Sequence, residues 1–179
     1  MSSPDHLYSQ RLHLRPLCAA DEATYVSLFT MPDIMAHVGP ALGRDAAASA
    51  FGRSLAMMCA PEPEAWLWIA RYRDGAQDVG LFGLIKREGL PEIGAMVMEG
   101  YQGQGLAFEA LSRVRDYGFT HLDLEAQFGR QLASNQRSIG LMLKLGFDQV
   151  PDGPRHIRWE LGRASWAGRT YSRGSDAVA

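Results

Sequence analysis

Residues 11–17, RLHLRPL, alternate: Leu12 and Leu14 fall on one side, Arg11, His13 and Arg15 on the other. That period of two predicts a half-buried strand, which Pro16 keeps short. AADEATYVSLFTM then shifts to helical spacing, with Ala23, Val26 and Phe29 three apart and Asp21 and Glu22 early, where a helix start favours acid. MPDIMAHVGPALG reads as a broken connection. RDAAASAFGRSLAMMCA predicts a second helix, with Asp45 as its N-cap and Pro61 beyond its end. Three strands follow. AWLWIARY is almost continuously apolar, as in a strand buried on both faces, and places Trp66 and Trp68 in the core. VGLFGLIKR and EIGAMVM come next, across turns short enough for antiparallel neighbours.

After GYQGQG a helix runs to about His121, its inner face marked by Ala107, Ala110, Leu111, Val114 and Tyr117. EAQFGRQL is strand-like. NQRSIGLMLKLGF predicts another helix with Ile139, Met142 and Leu143 as the buried stripe, and FDQVP and RHIRWEL predict closing strands. Hairpins mixed with helical crossovers place the chain in the α+β (mixed α/β) class. Residues 1–161 form one domain. Residues 162–179 are small, polar and unpatterned, which predicts a flexible C-terminal tail, with Trp166 and Tyr171 as the side chains able to dock on a neighbour, including a second copy in a homodimer.

Composition narrows the function classes. Of 179 residues, 46% are hydrophobic and 21% charged, enough apolar material for one core. A net charge of -2 with no dense Lys/Arg run argues against a nucleic-acid partner. The N-terminus lacks the apolar stretch of a signal peptide, and no apolar run is long enough to span a bilayer. Cys18 and Cys59 stand far apart without a CxxC, which predicts buried free thiols in a reducing, cytoplasmic setting. The five histidines are scattered without ligand spacing, so no metal is expected.

Chemistry concentrates in two segments. In YQGQGLAFEAL, glycines precede a helix start, where backbone N–H groups are unpaired and the dipole is positive. Bare backbone there admits a phosphate, with Gln102 and Gln104 as further donors, and serves equally as a plain turn. No Gly-Lys-Ser/Thr follows, so this is no Walker loop, and the spacing fails the dinucleotide fingerprint. In SNQRSIGLMLKLGF, Asn135 suits an N-cap, Ser138 stands three residues on, Lys144 lies in the last turn and Gly146 suits the C-cap.

Taken together, the two segments resemble the GNAT family of acyl-CoA-dependent N-acyltransferases. Its signature, Gln/Arg-x-x-Gly-x-Gly/Ala, stands here as Gln102, Gly103, Gln104, Gly105, Leu106 and Ala107. A second feature stands as Asn135 and Ser138, then Leu145, Gly146 and Phe147. QRLHLRPL and EIGAMV look like the subgroup that acetylates protein N-termini, ribosomal proteins included. The likeness covers residues 11–161. It implies a mostly antiparallel, twisted central sheet with a splayed strand pair, flanked by about four helices. It also implies acetyl-CoA as cosubstrate, its pyrophosphate on the amides of residues 102–107. The pantetheine arm would pair with Met96, Val97 and Met98, and Asn135 would brace the cofactor.

For proton transfer the resemblance points to Glu92, which by alternation shares a face with Gly94 and Met96. The alternative is an exposed charge after Pro91. Many members use a tyrosine at the position of Met142 to protonate the thiolate; here Ser138 is the replacement, or simply a first-turn helix residue. His37, in the broken connection, is a weaker substrate-binding candidate. The implied activity is N-acetylation of a protein or peptide N-terminus. The alternatives are a small-molecule amine (an antibiotic, polyamine or amino-acid derivative) and an acyl-CoA-binding module without turnover.

Overall fold

The computed structural model describes residues 4–75 and 77–168. An eight-stranded sheet runs β1-β2-β3-β4-β5-β6-β8-β7. Its strands are β1 (Leu7–Tyr8), β2 (Leu12–Pro16), β3 (Ala65–Tyr72), β4 (Asp78–Arg87), β5 (Leu90–Val97), β6 (Ala126–Leu132), β7 (Asp148–Asp152) and β8 (His156–Gly162). Every pairing is antiparallel except β5 with β6, which needs the crossover supplied by a helix. The four longer helices are α1 (Glu22–Thr30), α3 (Arg44–Cys59), α4 (Leu106–Thr120) and α5 (Gln136–Leu145). This is the expected α+β architecture. A short α2 (Pro32–Met35) interrupts the stretch read as a broken connection, and the two-residue β1 leaves no periodicity to read.

Two cores lie on opposite faces of the sheet. On one, Leu12, Leu14, Trp68, Phe82 and Ile93 pack against Leu106, Ala110, Leu111, Val114 and Tyr117 of α4 and Met142 and Leu145 of α5. On the other, Leu67, Ile69, Leu81 and Met96 pack against Tyr25, Leu28, Met35, Phe51 and Met58 of α1–α3. Trp68 is fully buried as expected; Trp66 is partly so.

Several local expectations are corrected. Gly43 is the N-cap of α3, and Asp45 lies inside the first turn. The inward residues of α1 are Tyr25, Val26 and Leu28, while Ala23 is exposed. Leu143 is 59% exposed, because α5 turns Met142 and Leu145 inward and leaves the residue between them on the outside. Cys18 and Cys59 are both exposed, one where the chain leaves β2 and the other as the last residue of α3. In the stretch read as a tail, residues 163–168 are helical. Trp166 stacks on Phe119 at 5.0 Å and donates to Asp116 Oδ1 at 2.8 Å. Tyr171 lies outside the described residues.

A buried ion pair sets how α1 leaves the sheet. Asp21, 3% exposed, accepts from Arg15 through both oxygens and from the Cys18 N–H at 2.9 Å. Burial pushes this carboxyl up, but the Arg15 and Cys18 donors outweigh burial and hold it below the ordinary carboxylate range. A depressed acid stabilises the fold above its unfolded pKa and loses that contribution as pH falls through the folded one. Asp21→Asn should therefore cost about 2 kcal/mol at pH 7, discounted from the buried-pair range because Arg15 is partly exposed. In urea melts the difference from wild type should shrink below pH 4; a pH-independent difference would refute the assignment.

Candidate functional site

The site begins where β5 parts from β6. β4 and β5 pair along eight residues and β6 and β8 along seven, but β5 meets β6 at one register point, Glu92 opposite Phe128. Beyond Glu92 the two parallel strands diverge, so the far edge of β5 faces a slot rather than a ladder. Which residues face it follows from the pairing with β4. The Met98 N–H goes to the Val79 carbonyl at 2.9 Å, so Met98, Met96 and Gly94 turn their backbone groups to β4. Ala95 and Val97 turn theirs toward the slot. Of the three residues expected to pair with an extended arm, Val97 alone has this orientation, and Ala95 joins it. The Val97 carbonyl already accepts from Gln102 Nε2 at 3.1 Å, which ties the strand end to the glycine turn.

That turn is built by glycines in the left-handed region, Gly103 at φ 75° and Gly105 at φ 76°. An added Cβ at Gly103 would meet no protein atom within 4 Å, and one at Gly105 would meet only Arg11 Nη2 at 3.7 Å. Gly105 is the N-cap of α4 and offers no side chain to cap it. Glu109 N–H is the first donor answered within the helix, by the Gly105 carbonyl. The amides of Leu106, Ala107 and Phe108 are thus left without an intrahelical partner, beside an open, positive helix end. Each glutamine side chain already uses one of its two N–H groups within the turn and the strand end before it. Gln104 Nε2 donates to the Gly100 carbonyl at 2.9 Å and its Oε1 accepts from Tyr72 Oη at 3.1 Å. Both Gln102 and Gln104 stiffen the turn.

Glu92 stands at the vertex of the slot. Its side chain is 24% exposed and pairs with Arg87 at 2.9 Å. It is therefore neither fully exposed nor free. Burial pushes the carboxyl up, Arg87 and Arg130 pull it down, Glu88 pushes it further up, and the net direction is upward. Alternation turns Glu92 toward the α1–α3 face, with exposed Gly94 and buried Met96 beyond it. Around the vertex three further carboxylates share two guanidinium groups: Glu88 with Arg158 at 2.9 Å and Arg130 at 3.6 Å, Glu160 with Arg158 at 2.7 Å, and Asp152 with Arg130 at 2.6 Å.

On the α4–α5 face, Asn135 caps α5, its Oδ1 accepting from the Ser138 N–H at 3.2 Å. Ser138 is half-buried in the first turn. Met142 is buried, and its methyl group would lie 2.6 Å from a Cβ added at Gly129 of β6, so it fills the space against the far wall of the slot. Gln131, also on β6, buries its Nε2 without a hydrogen-bond partner. An orphaned donor of this kind is costly to bury. The phosphate-accepting turn and the unpaired strand edge together suit a long ligand with an anionic end and an extended arm. His37 is exposed in the turn after α2. Ala95 escapes sequence reading, since hydrogen-bond phase leaves no mark in the pattern.

Among the described residues, no helix is long and apolar enough to cross a membrane. No group of three or more His, Cys, Asp or Glu in those residues is placed to hold a metal ion. A protein-family model for the acetyltransferase (GNAT) domain matches residues 11–148. Solved structures with the same fold include an acetyltransferase from Agrobacterium tumefaciens, at 23% identity and TM-score 0.77, covering 90% of this chain and 96% of that one. The spermidine N-acetyltransferase from Vibrio cholerae, in complex with CoA and spermine, matches at 19% identity and TM-score 0.75, covering 88% of this chain and 98% of that one. RimL, a ribosomal alpha-N-protein acetyltransferase in complex with coenzyme A, matches at 12% identity and TM-score 0.76, covering 90% of this chain and 99% of that one.

Proposed function

Since the chain belongs to the GNAT family of acetyltransferases, we propose that it moves an acetyl group from acetyl-CoA to the primary amine of a protein or peptide N-terminus. The observation that carries the acyl-transfer reading is the single β5–β6 register point beside the uncapped start of α4. The unpaired amides of Leu106, Ala107 and Phe108 would receive the pyrophosphate. Ala95 and Val97 would pair with the pantetheine arm.

The amine must be neutral to attack. Near pH 7.4 only about 0.1% of a lysine side chain is neutral, against roughly a third of an α-amine. Glu92 would take the amine proton, directly or through one water, as the new N–C bond forms. A slot-facing amide of Ala95 or Val97 would hold the developing oxyanion. As the C–S bond breaks, Ser138 would hydrogen-bond the departing thiolate, which gains its proton there or from water. Asn135 would brace the arm through the amide that its capping bond leaves over.

Charge at the vertex bears on the acceptor. Each of the four carboxylates at the vertex has an arginine partner, two of those arginines being shared, so none of the four is left unpaired for a polycation. That favours an amine carried on a peptide backbone. The fold shared with the Vibrio cholerae enzyme keeps a polyamine as the second reading. Thiol release measured with acetyl-CoA against N-terminal peptides, N-blocked lysine peptides and spermidine separates these. Release with N-terminal peptides supports the proposal, release with spermidine alone replaces it, and tight CoA binding without acceptor-dependent release would indicate a non-catalytic module.

Acetyl-CoA itself should stabilise the fold. At 100 times Kd the linkage amounts to about 2.7 kcal/mol, and so a Tm rise of about 5–10 °C for a chain this long. Scanning calorimetry with and without acetyl-CoA checks this, and an unchanged Tm would sink the cofactor assignment.

A further inference from the structure

We propose that Arg11, at the mouth of β2, is a positioning residue for the pyrophosphate turn and sets acetyl-CoA affinity without touching the nucleotide; this rests on the cofactor reading above. Its backbone N–H donates to Glu109 Oε1 at 2.8 Å and its Nε to Glu109 Oε2 at 2.8 Å. Its Nη2 donates to the Gln104 carbonyl at 3.1 Å. One side chain from the far side of the sequence thus grips both the first turn of α4 and the peptide between the two left-handed glycines.

Two consequences follow for an anion on the turn. A trans peptide points its C=O and N–H in opposite directions. By holding the Gln104 carbonyl on the β2 side, Arg11 aims the Gly105 N–H to the other side of the turn. With Tyr72 and the Gly100 carbonyl gripping the Gln104 side chain, residue 104 is anchored from β2, from β3 and from within the turn. Second, Glu109 puts a carboxylate one turn from the open amides, where it would repel a phosphate. Burial pushes that carboxyl up, but the Arg11 donors dominate and keep it ionised and paired. The pairing cancels at close range the charge that would otherwise oppose the ligand.

Arg11→Gln should raise the KM and Kd for acetyl-CoA about tenfold, the weight of one charge-assisted hydrogen bond, with kcat at saturation within about twofold. Arg11→Lys, which restores charge without the fork, should recover part of the loss. Dephospho-acetyl-CoA keeps the pyrophosphate and should show the same tenfold effect; acetyl-pantetheine lacks it and should show none. Glu109→Gln, measured in parallel, should also weaken acetyl-CoA by several-fold, because it loosens the clamp. Tighter binding in Glu109→Gln would mean that a released Arg11 binds the phosphates directly, which overturns the positioning role. An equal loss with acetyl-pantetheine, or no loss with acetyl-CoA, would overturn it too. If wild type itself binds no acetyl-CoA, the cofactor reading fails instead, and calorimetry of each variant identifies any that fails to fold.

Discussion

Gly105→Trp should weaken acetyl-CoA binding about a thousandfold. The estimate takes two charge-assisted hydrogen bonds from backbone amides to the pyrophosphate, at about 2 kcal/mol each. An indole at residue 105 starts from the N-cap of α4, where φ is 76° and the nearest atom to a new Cβ is the end of the flexible Arg11 side chain at 3.7 Å. The fold therefore has room for the Cβ, and with the side chain swung away from Arg11 the ring covers the helix mouth. Backbone strain is separable from this block. Gly105→Ala carries the same left-handed penalty, about 1–2 kcal/mol, without the bulk. It should lower Tm by a few degrees and cost less than about tenfold in affinity. Titration calorimetry of the pair tests the assignment. If Gly105→Trp binds acetyl-CoA as tightly as Gly105→Ala, the turn is not the anion site.

How much of this was legible follows from what each feature depends on. The inner face of α4 was readable because Ala110, Leu111, Val114 and Tyr117 repeat at helical spacing. The turn before it was readable because Gly103 and Gly105 sit where a left-handed backbone excludes most residues. The same spacing rule misread α5, since a period between three and four admits either Leu143 or Leu145 beside Met142, and packing against the sheet selects Leu145. The slot could be inferred only through family resemblance. A strand that loses its neighbour after one register point keeps the same apolar sequence as one that does not.

The slot-facing residues were misjudged for a related reason. Side-chain alternation says which face of the sheet Met96 and Val97 occupy. It is silent on which edge their amides address, and the Met98 bond to Val79 settles that. Arg11 was seen as the polar side of β2, with nothing to mark a partner on α4 98 residues away. Among the ion pairs around Glu92, those of Glu88 with Arg130 and Arg158 are of the same non-local kind, joining the β4–β5 turn to β6 and β8.

Glu92→Gln should lower kcat/KM about a thousandfold with a lysine side-chain acceptor at neutral pH, and about a hundredfold with an α-amine, the difference reflecting how rarely each amine is neutral unaided. The pH profile carries the stronger argument. Burial raises the Glu92 carboxyl net of its arginine neighbours, so the acid limb of kcat/KM in wild type should lie above the ordinary carboxylate range. Below that limb Glu92 is protonated and accepts nothing; above it the carboxylate is available. In Glu92→Gln this limb should vanish, leaving a rate that climbs only with deprotonation of the acceptor, so the deficit narrows toward high pH. Stability should move the other way. A carboxyl raised on folding destabilises the fold once pH exceeds its unfolded value, and Gln removes that penalty. Arg87, largely exposed, loses little with its partner. The variant should therefore melt at or above the wild-type Tm at pH 7.5, which separates lost chemistry from lost fold. A retained acid limb, or a loss below about tenfold for both acceptors, would remove Glu92 from proton transfer and leave it a vertex charge held by Arg87.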